Sequence, residues 1–207
     1  MLDKEPEFII EIEKPIRVRR ITGDEDGIFL LRLHNDEVRV REYIYNMLLS
    51  AREYLPKNYN FAVDEGFRTI EKQIRYWNAY QEKLLADNPD LRPGKELDEM
   101  TDVAVANPYT HGSGHQTGAA VDIFLCDNHG KPYDMGDDIT KFFDPDISAT
   151  DSQKISDEGK KNRAILKNAM EKAGFVNYPA EYWHYSFGDR LWARLTGSNI
   201  AIFAKIT

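Results

Sequence analysis

Two histidines and an aspartate stand in surroundings suited to holding a metal ion. His115 lies in Ser113-Gly114-His115-Gln116-Thr117-Gly118-Ala119-Ala120-Val121-Asp122, and His184 in Glu181-Tyr182-Trp183-His184-Tyr185. Two imidazoles and one carboxylate form the kind of three-ligand set that catalytic zinc uses, leaving a fourth position for water. The small residues around His115 allow a tight turn. The run from Ala119 to Leu125 reads as a strand, with Ala119, Val121, Ile123 and Leu125 on one face and Asp122 on the other. Glu181 precedes His184 by three residues, a spacing that in a regular strand puts the two on opposite faces. Tyr178-Pro179-Ala180 predicts a bend that turns Glu181 toward the metal. A glutamate beside metal-bound water can accept its proton and return it to a leaving group.

Each of these residues also has a plainer reading. A single histidine is more often a surface or satisfied core residue, and a strand aspartate often forms only a salt bridge. Gly112, Gly114 and Gly118 could serve turn geometry alone, and Arg68, ahead of a helix, could be a surface residue. His111 sits four residues before His115, but Gly112-Ser113-Gly114 opposes a helix there, so it is left out of the metal set. His34 and His129 read as loop residues. With one cysteine, Cys126, there is neither an internal disulfide nor a multi-cysteine zinc site. Any metal ligands must come mainly from His, Asp and Glu.

The elements that must position these groups are legible in outline. Over 207 residues, 42% hydrophobic and 12% aromatic, the composition is that of a globular chain with a sizeable core. Phe8–Ile12 and Gly27–Leu31 read as extended. Apolar spacing predicts helices over about 37–55, 70–85 and 157–173, the last with Ser156 as N-cap and Gly174 as its stop. Phe61-Ala62-Val63 and Tyr182–Ser186 have strand composition. Residues 87–109 and 127–152 read as long loops, and 191–206 as an apolar-rich tail. The mixture predicts an α+β fold: one domain over 1–207, a mainly antiparallel sheet flanked by helices, with an N-terminal extension of about 35 residues packed on it.

The motifs resemble those of the D-alanyl-D-alanine dipeptidase family, within the wider group of zinc D-Ala-D-Ala-type peptidases. Ser113, His115, Gly118, Ala120 and Asp122 match that group's Ser-x-His-x-x-Gly-x-Ala-x-Asp motif, and Glu181 and His184 its Glu-x-x-His. Glu181 to Asp189 is close to the branch's Glu-Trp-Trp-His-x-Ser-x-Gly-Asp, with Tyr182 in place of Trp. Gly66-Phe67-Arg68 resembles its Gly-Tyr-Arg, with Glu65 where the family usually has Asp and Thr69 where it has Pro. The resemblance implies that His115, Asp122 and His184 bind Zn2+, that Glu181 is general base and then acid, and that Arg68 stabilises the oxyanion. It further implies substrate contacts from Ser113, at the carboxylate end, and from Glu65. The family's Met-Gly-x-x-Phe-Asp segment, whose Asp helps hold the substrate ammonium, appears as Met135-Gly136 with extra residues before Phe143-Asp144. Asp144 is the choice for that role, with Asp137 or Asp138 as substitutes.

The expected activity is hydrolysis of D-Ala-D-Ala or a related small dipeptide. A D,D- or L,D-carboxypeptidase of the same group and a non-catalytic zinc-binding interaction module are the alternatives. With a formal charge of −8 and no Lys/Arg cluster, nucleic acid is not an expected partner. No apolar run reaches the length of a membrane span. The acidic start, Met1 to Glu7, is unlike a secretory signal, so a cytoplasmic location is expected.

Overall fold

The computed structural model describes residues 6–12, 14–23, 25–138 and 143–206. In chain order the elements are β1 (Phe8–Ile9), β2 (Val18–Ile21), β3 (Ile28–Leu30), β4 (Val38–Arg41), α1 (Glu42–Arg52), β5 (Asn60–Glu65), α2 (Ile70–Asp87) and α3 (Lys95–Asp102). A 3-10 turn at Gly114–Thr117 follows, then β6 (Ala120–Cys126), α4 (Pro145–Ser148), α5 (Asp157–Lys172), β7 (Val176–Asn177), β8 (His184–Ser186), α6 (Arg190–Thr196) and β9 (Ile200–Ala201).

The main sheet has the order β3-β5-β6-β8-β7, with β3 parallel to β5 and every other pair antiparallel. This is the α+β, mainly antiparallel arrangement that the mixed patterns predict. Strand alternation divides the sheet's residues between two faces. Phe61, Val63, Val121, Ile123, Leu125 and Tyr185 join the core with Ile44, Leu48 and Ala51 of α1 and Leu166, Ala169 and Met170 of α5. Asp122, Phe124 and His184, on the opposite face, line a cavity. The helices on the core face give the sheet a rigid back, so its other face can carry polar groups at fixed spacing.

Local differences from the sequence reading have identifiable causes. The first residues of the expected 37–55 helix form β4 instead, because Val38 and Val40 alternate inward and the strand pairs antiparallel with β2. Within 87–109, α3 forms behind Gly94, burying Leu97 and Thr101. Within 127–152, Asp144 caps the short α4, with Pro145 at its first turn. Tyr182 and Trp183 lie in a turn, and strand structure begins only at His184. α5 starts and stops as its caps predict: Ser156 Oγ accepts from the Gly159 amide, and Gly174 follows with φ +98°. Toward the N-terminus, β1 pairs parallel with β9, β2 pairs antiparallel with β4, and β3 enters the main sheet.

Candidate metal centre and active site

His115, Asp122 and His184 are brought together by different devices. His115 sits on the 3-10 turn, which Ser113 caps through its Oγ while Gln116 reaches back to the Ser113 amide. The turn ends at Gly118 in the left-handed region, φ +68°, a conformation glycine adopts without strain. Asp122 and His184 are direct cross-strand partners on β6 and β8, so sheet pairing sets their separation. The result is a triangle: His115 Nε2 to His184 Nδ1 3.1 Å, His184 Nδ1 to Asp122 Oδ1 3.1 Å, and His115 Nε2 to Asp122 Oδ1 3.3 Å. Ligands about 2.0–2.1 Å from a tetrahedral ion lie about 3.3–3.4 Å apart, so these three atoms fit around one ion.

The outward nitrogens of both rings are occupied, which fixes the inward ones as acceptors. His115 Nδ1 donates to the Gly66 carbonyl at 2.8 Å, leaving Nε2 bare toward the triangle. His184 Nε2 lies 3.3 Å from Ser186 Oγ, and that hydroxyl in turn hydrogen-bonds Asp189. Partners of this kind orient a ligating imidazole and select its tautomer. Burial pushes the Asp122 carboxyl up, but His115 and His184 more than reverse this and hold it well below the usual carboxylate range.

Glu181 reaches the triangle because residues 181–184 form a turn, closed by the His184 amide donating to the Glu181 carbonyl at 3.2 Å. The opposite-face geometry of a strand therefore does not apply, and Glu181 Oε2 stands 3.9 Å from His184 Nδ1. Burial pushes its carboxyl pKa up to about 7. Strongly shifted titratable groups converging in a cavity are a physical signature of a reactive site.

Arg68 reaches the triangle from the end of β5, its Nη2 3.8 Å from Asp122 Oδ2. Glu65 Oε2 accepts from Arg68 Nη2 at 2.7 Å, Gln73 Oε1 from Nη1 at 2.9 Å, and the guanidinium lies over the Tyr76 ring. Burial works against the charge of Arg68, but Glu65 outweighs it and raises the pKa. Glu65 also pairs with Lys72 at 2.7 Å, so its carboxylate is committed to cations of the protein itself.

A cavity of about 1140 Å³ encloses these groups. Ser113 lines it, beside Lys205, whose Nζ packs against Gly112. Asp144 is exposed and absent from the cavity wall, where its carboxylate accepts the Asp146 amide as the α4 cap. Asp137 does line the wall and accepts from Ser148 Oγ at 3.1 Å. His111 is 3.3 Å from Asp102 and outside the metal triangle. The sequence reading gave no role to Gln73, Lys205 or Asp64, and named Asp189 only as the end of a motif. For Asp64 a signal existed, since two adjacent acids close an otherwise apolar strand.

Among the described residues, an α+β sheet brings one His-Asp-His set together with the spacing a metal ion needs, with a largely buried glutamate and arginine beside it. The chain belongs to the D-ala-D-ala dipeptidase family of peptidases, whose profile matches residues 37–202. It is 40% identical over 88 residues to a D-alanyl-D-alanine dipeptidase of Synechocystis sp., a match covering 38% of this chain and 36% of that protein. A D-alanyl-D-alanine dipeptidase of Escherichia coli is 33% identical over 76 residues, covering 37% of this chain and 38% of that protein. These curated relatives are thus matched over little more than a third of their length. In fold the chain is similar to the vancomycin-resistance D,D-pentapeptidase VanY of a VanB-type cassette, solved with Zn(II). That likeness has a TM-score of 0.51 and 18% identity, and covers 91% of this chain and 89% of that one.

Proposed function

We propose that this chain is a zinc metallopeptidase that hydrolyses D-Ala-D-Ala or a related small D-amino-acid dipeptide. The observation that carries the reading is Glu181 held 3.9 Å from the inward nitrogen of His184, beside three ligand atoms that share one ion's geometry. His115, Asp122 and His184 would hold the zinc, which when bound would supply Lewis acidity toward the scissile carbonyl and a water of lowered pKa. Glu181 takes the proton of the attacking water and later delivers it to the leaving amine. Its burial raises its proton affinity, which suits the second step. Arg68 faces the developing oxyanion as a permanent cation, and Glu65 and Gln73 hold it there in advance.

The polar groups on the cavity wall orient the substrate. Ser113 and Lys205 receive the carboxylate end, and Asp137 takes the ammonium role expected of Asp144, because Asp137 is the one on the wall. Glu65 acts by positioning Arg68. One observation favours the carboxypeptidase alternative: the cavity slightly exceeds the roughly 300–1,000 Å³ of sites for drug-sized ligands, and a dipeptide is smaller than those. A non-catalytic module has no need of the Glu181 and Arg68 arrangement. The test is to incubate the zinc-loaded protein with D-Ala-D-Ala, its L,L counterpart and an N-acylated D-Ala-D-Ala peptide. Cleavage of the first alone is expected, and cleavage of the acylated peptide alone would replace the dipeptidase reading with the carboxypeptidase.

A further inference from the structure

Beside the metal centre, the cavity wall holds a second carboxylate that the mechanism leaves without a task. β5 and β6 pair in register up to Val63↔Ile123, and the next pair is Glu65↔Asp122. Asp64 is thus the extra residue of a β-bulge, a device that re-aims side chains at the expense of one ladder step. Without it Asp64 and Glu65 would alternate between faces. With it both line the cavity that contains Asp122 and His184. The Asp64 side chain is 9% exposed, and its two oxygens differ. Oδ2 is 2.6 Å from His34 Nδ1, and since a carboxylate only accepts, His34 donates there. Oδ1 is buried without a hydrogen-bond partner. A buried carboxylate oxygen left without a donor is costly, by about 1–3 kcal/mol or more, and such groups in native proteins call for a partner that completes them.

The loop carrying His34 is fixed to this wall independently. Asn35 Nδ2 donates to the Asp64 carbonyl, and Lys72 Nζ donates to Asn35 Oδ1. His34 therefore holds one oxygen of Asp64 and leaves the other to whatever enters the cavity. Arg68 and Lys72 of the same wall are paired with Glu65 instead. A ligand that brings hydrogen-bond donors of its own, an ammonium best of all, completes this oxygen.

We propose that Asp64, held by His34, is a specificity-determining residue whose free oxygen accepts the ammonium group of the substrate's unblocked amino end. This rests on the peptidase reading and adds to it, because it explains how the site would prefer a free dipeptide over an N-blocked peptide in so large a cavity. An ammonium has three donors, so the assignment of Asp64 does not displace the contact proposed for Asp137.

The test compares the zinc-loaded wild type, Asp64→Asn and His34→Gln on D-Ala-D-Ala and on N-acetyl-D-Ala-D-Ala, with melting temperature and zinc content measured for each. The expected result for Asp64→Asn is a KM for the free dipeptide raised about 10- to 100-fold, the loss of one charge-assisted hydrogen bond. Zinc content stays at the wild-type level, and the rate on the acetylated peptide is unchanged or higher. His34→Gln is expected to raise the same KM less. A wild type that cleaves D-Ala-D-Ala beside a folded Asp64→Asn with unchanged KM overturns the Asp64 assignment alone. A wild type that cleaves neither peptide removes the peptidase reading and this assignment with it. If Asp64→Asn does not fold, His34→Gln decides: an unchanged KM for the free dipeptide in a folded, zinc-loaded His34→Gln rejects the proposal.

Discussion

Glu181 combines two properties that normally oppose each other: it is an acid buried deeply enough to keep its proton, yet it stands beside a site built for a dication. Replacing it with glutamine keeps the volume and removes the base, so kcat should fall about 10²- to 10⁴-fold. Zinc stoichiometry, read by atomic absorption, should be unaffected. The same residue makes a prediction about the metal-free protein. Its carboxyl titrates near 4.5 in an unfolded chain and near 7 in the fold. Between those values the folded state retains a proton that the unfolded state has lost, so stability falls as pH rises through that window and levels off above it. Burial raises the Asp64 and Asp189 carboxyls as well, with the same sign. Chemical denaturation of the metal-free protein at pH 5 and 7.5 should show this decline, and Glu181→Gln should make it shallower. An equal decline in both proteins would mean that Glu181 is solvated in the metal-free state.

At the scale of elements, the site depends on close backbone approaches at the ends of β4 and β5. The Gly66 carbonyl orients His115, and a Cβ on Gly66 would overlap the Arg39 carbonyl oxygen and crowd the Val38 and Val40 side chains. Those neighbours are backbone and core, which cannot swing aside. Gly66→Ala should therefore cost about 1–3 kcal/mol of stability. By displacing the hydrogen-bond partner of His115, it should also weaken zinc binding about 10- to 100-fold. Competition against a fluorescent chelator measures the second effect, and full zinc affinity in Gly66→Ala would show that the carbonyl contact is dispensable. Arg163 does similar work on the other side of the cavity. It donates to the carbonyls of Met135, Ile147 and Ala149 and stacks on Tyr182, tying the Met135–Asp137 segment and α4 to the turn that carries Glu181.

Across the whole molecule, Arg41 joins distant parts of the chain to the metal turn. Fully buried, it donates to Glu11 in a two-toothed pair, to the Thr117 carbonyl and to the Ala204 carbonyl, and it lies over the Phe203 ring. Its own amide donates to the Gly118 carbonyl. Arg41→Leu strands a largely buried Glu11 and should cost about 3–5 kcal/mol. For a chain of this size that is on the order of 10 °C in melting temperature. Adding Glu11→Leu should recover part of the loss, since the double change removes both charges. Additive losses would show that the pair is not coupled. Among the described residues, no helix is long and apolar enough to cross a membrane.

The sequence alone determined which residue types are able to carry the proposed chemistry. His115, Asp122, His184, Glu181 and Arg68 stand in motifs whose spacing is local, and local patterns also mark α2, α5 with its Ser156 cap, and β6. Much less of the rest was legible there. Whether three ligands from a turn and two strands meet within 4.8 Å is a matter of strand register, which hydrogen bonding between distant segments sets. The turn that brings Glu181 to His184, the bulge that brings Glu65 onto the cavity face beside Asp64 and the cap that takes Asp144 off the wall were likewise decided by tertiary structure. In each case a one-residue change in pairing or turn type moves a side chain to the opposite face, and that choice is made by packing rather than by composition.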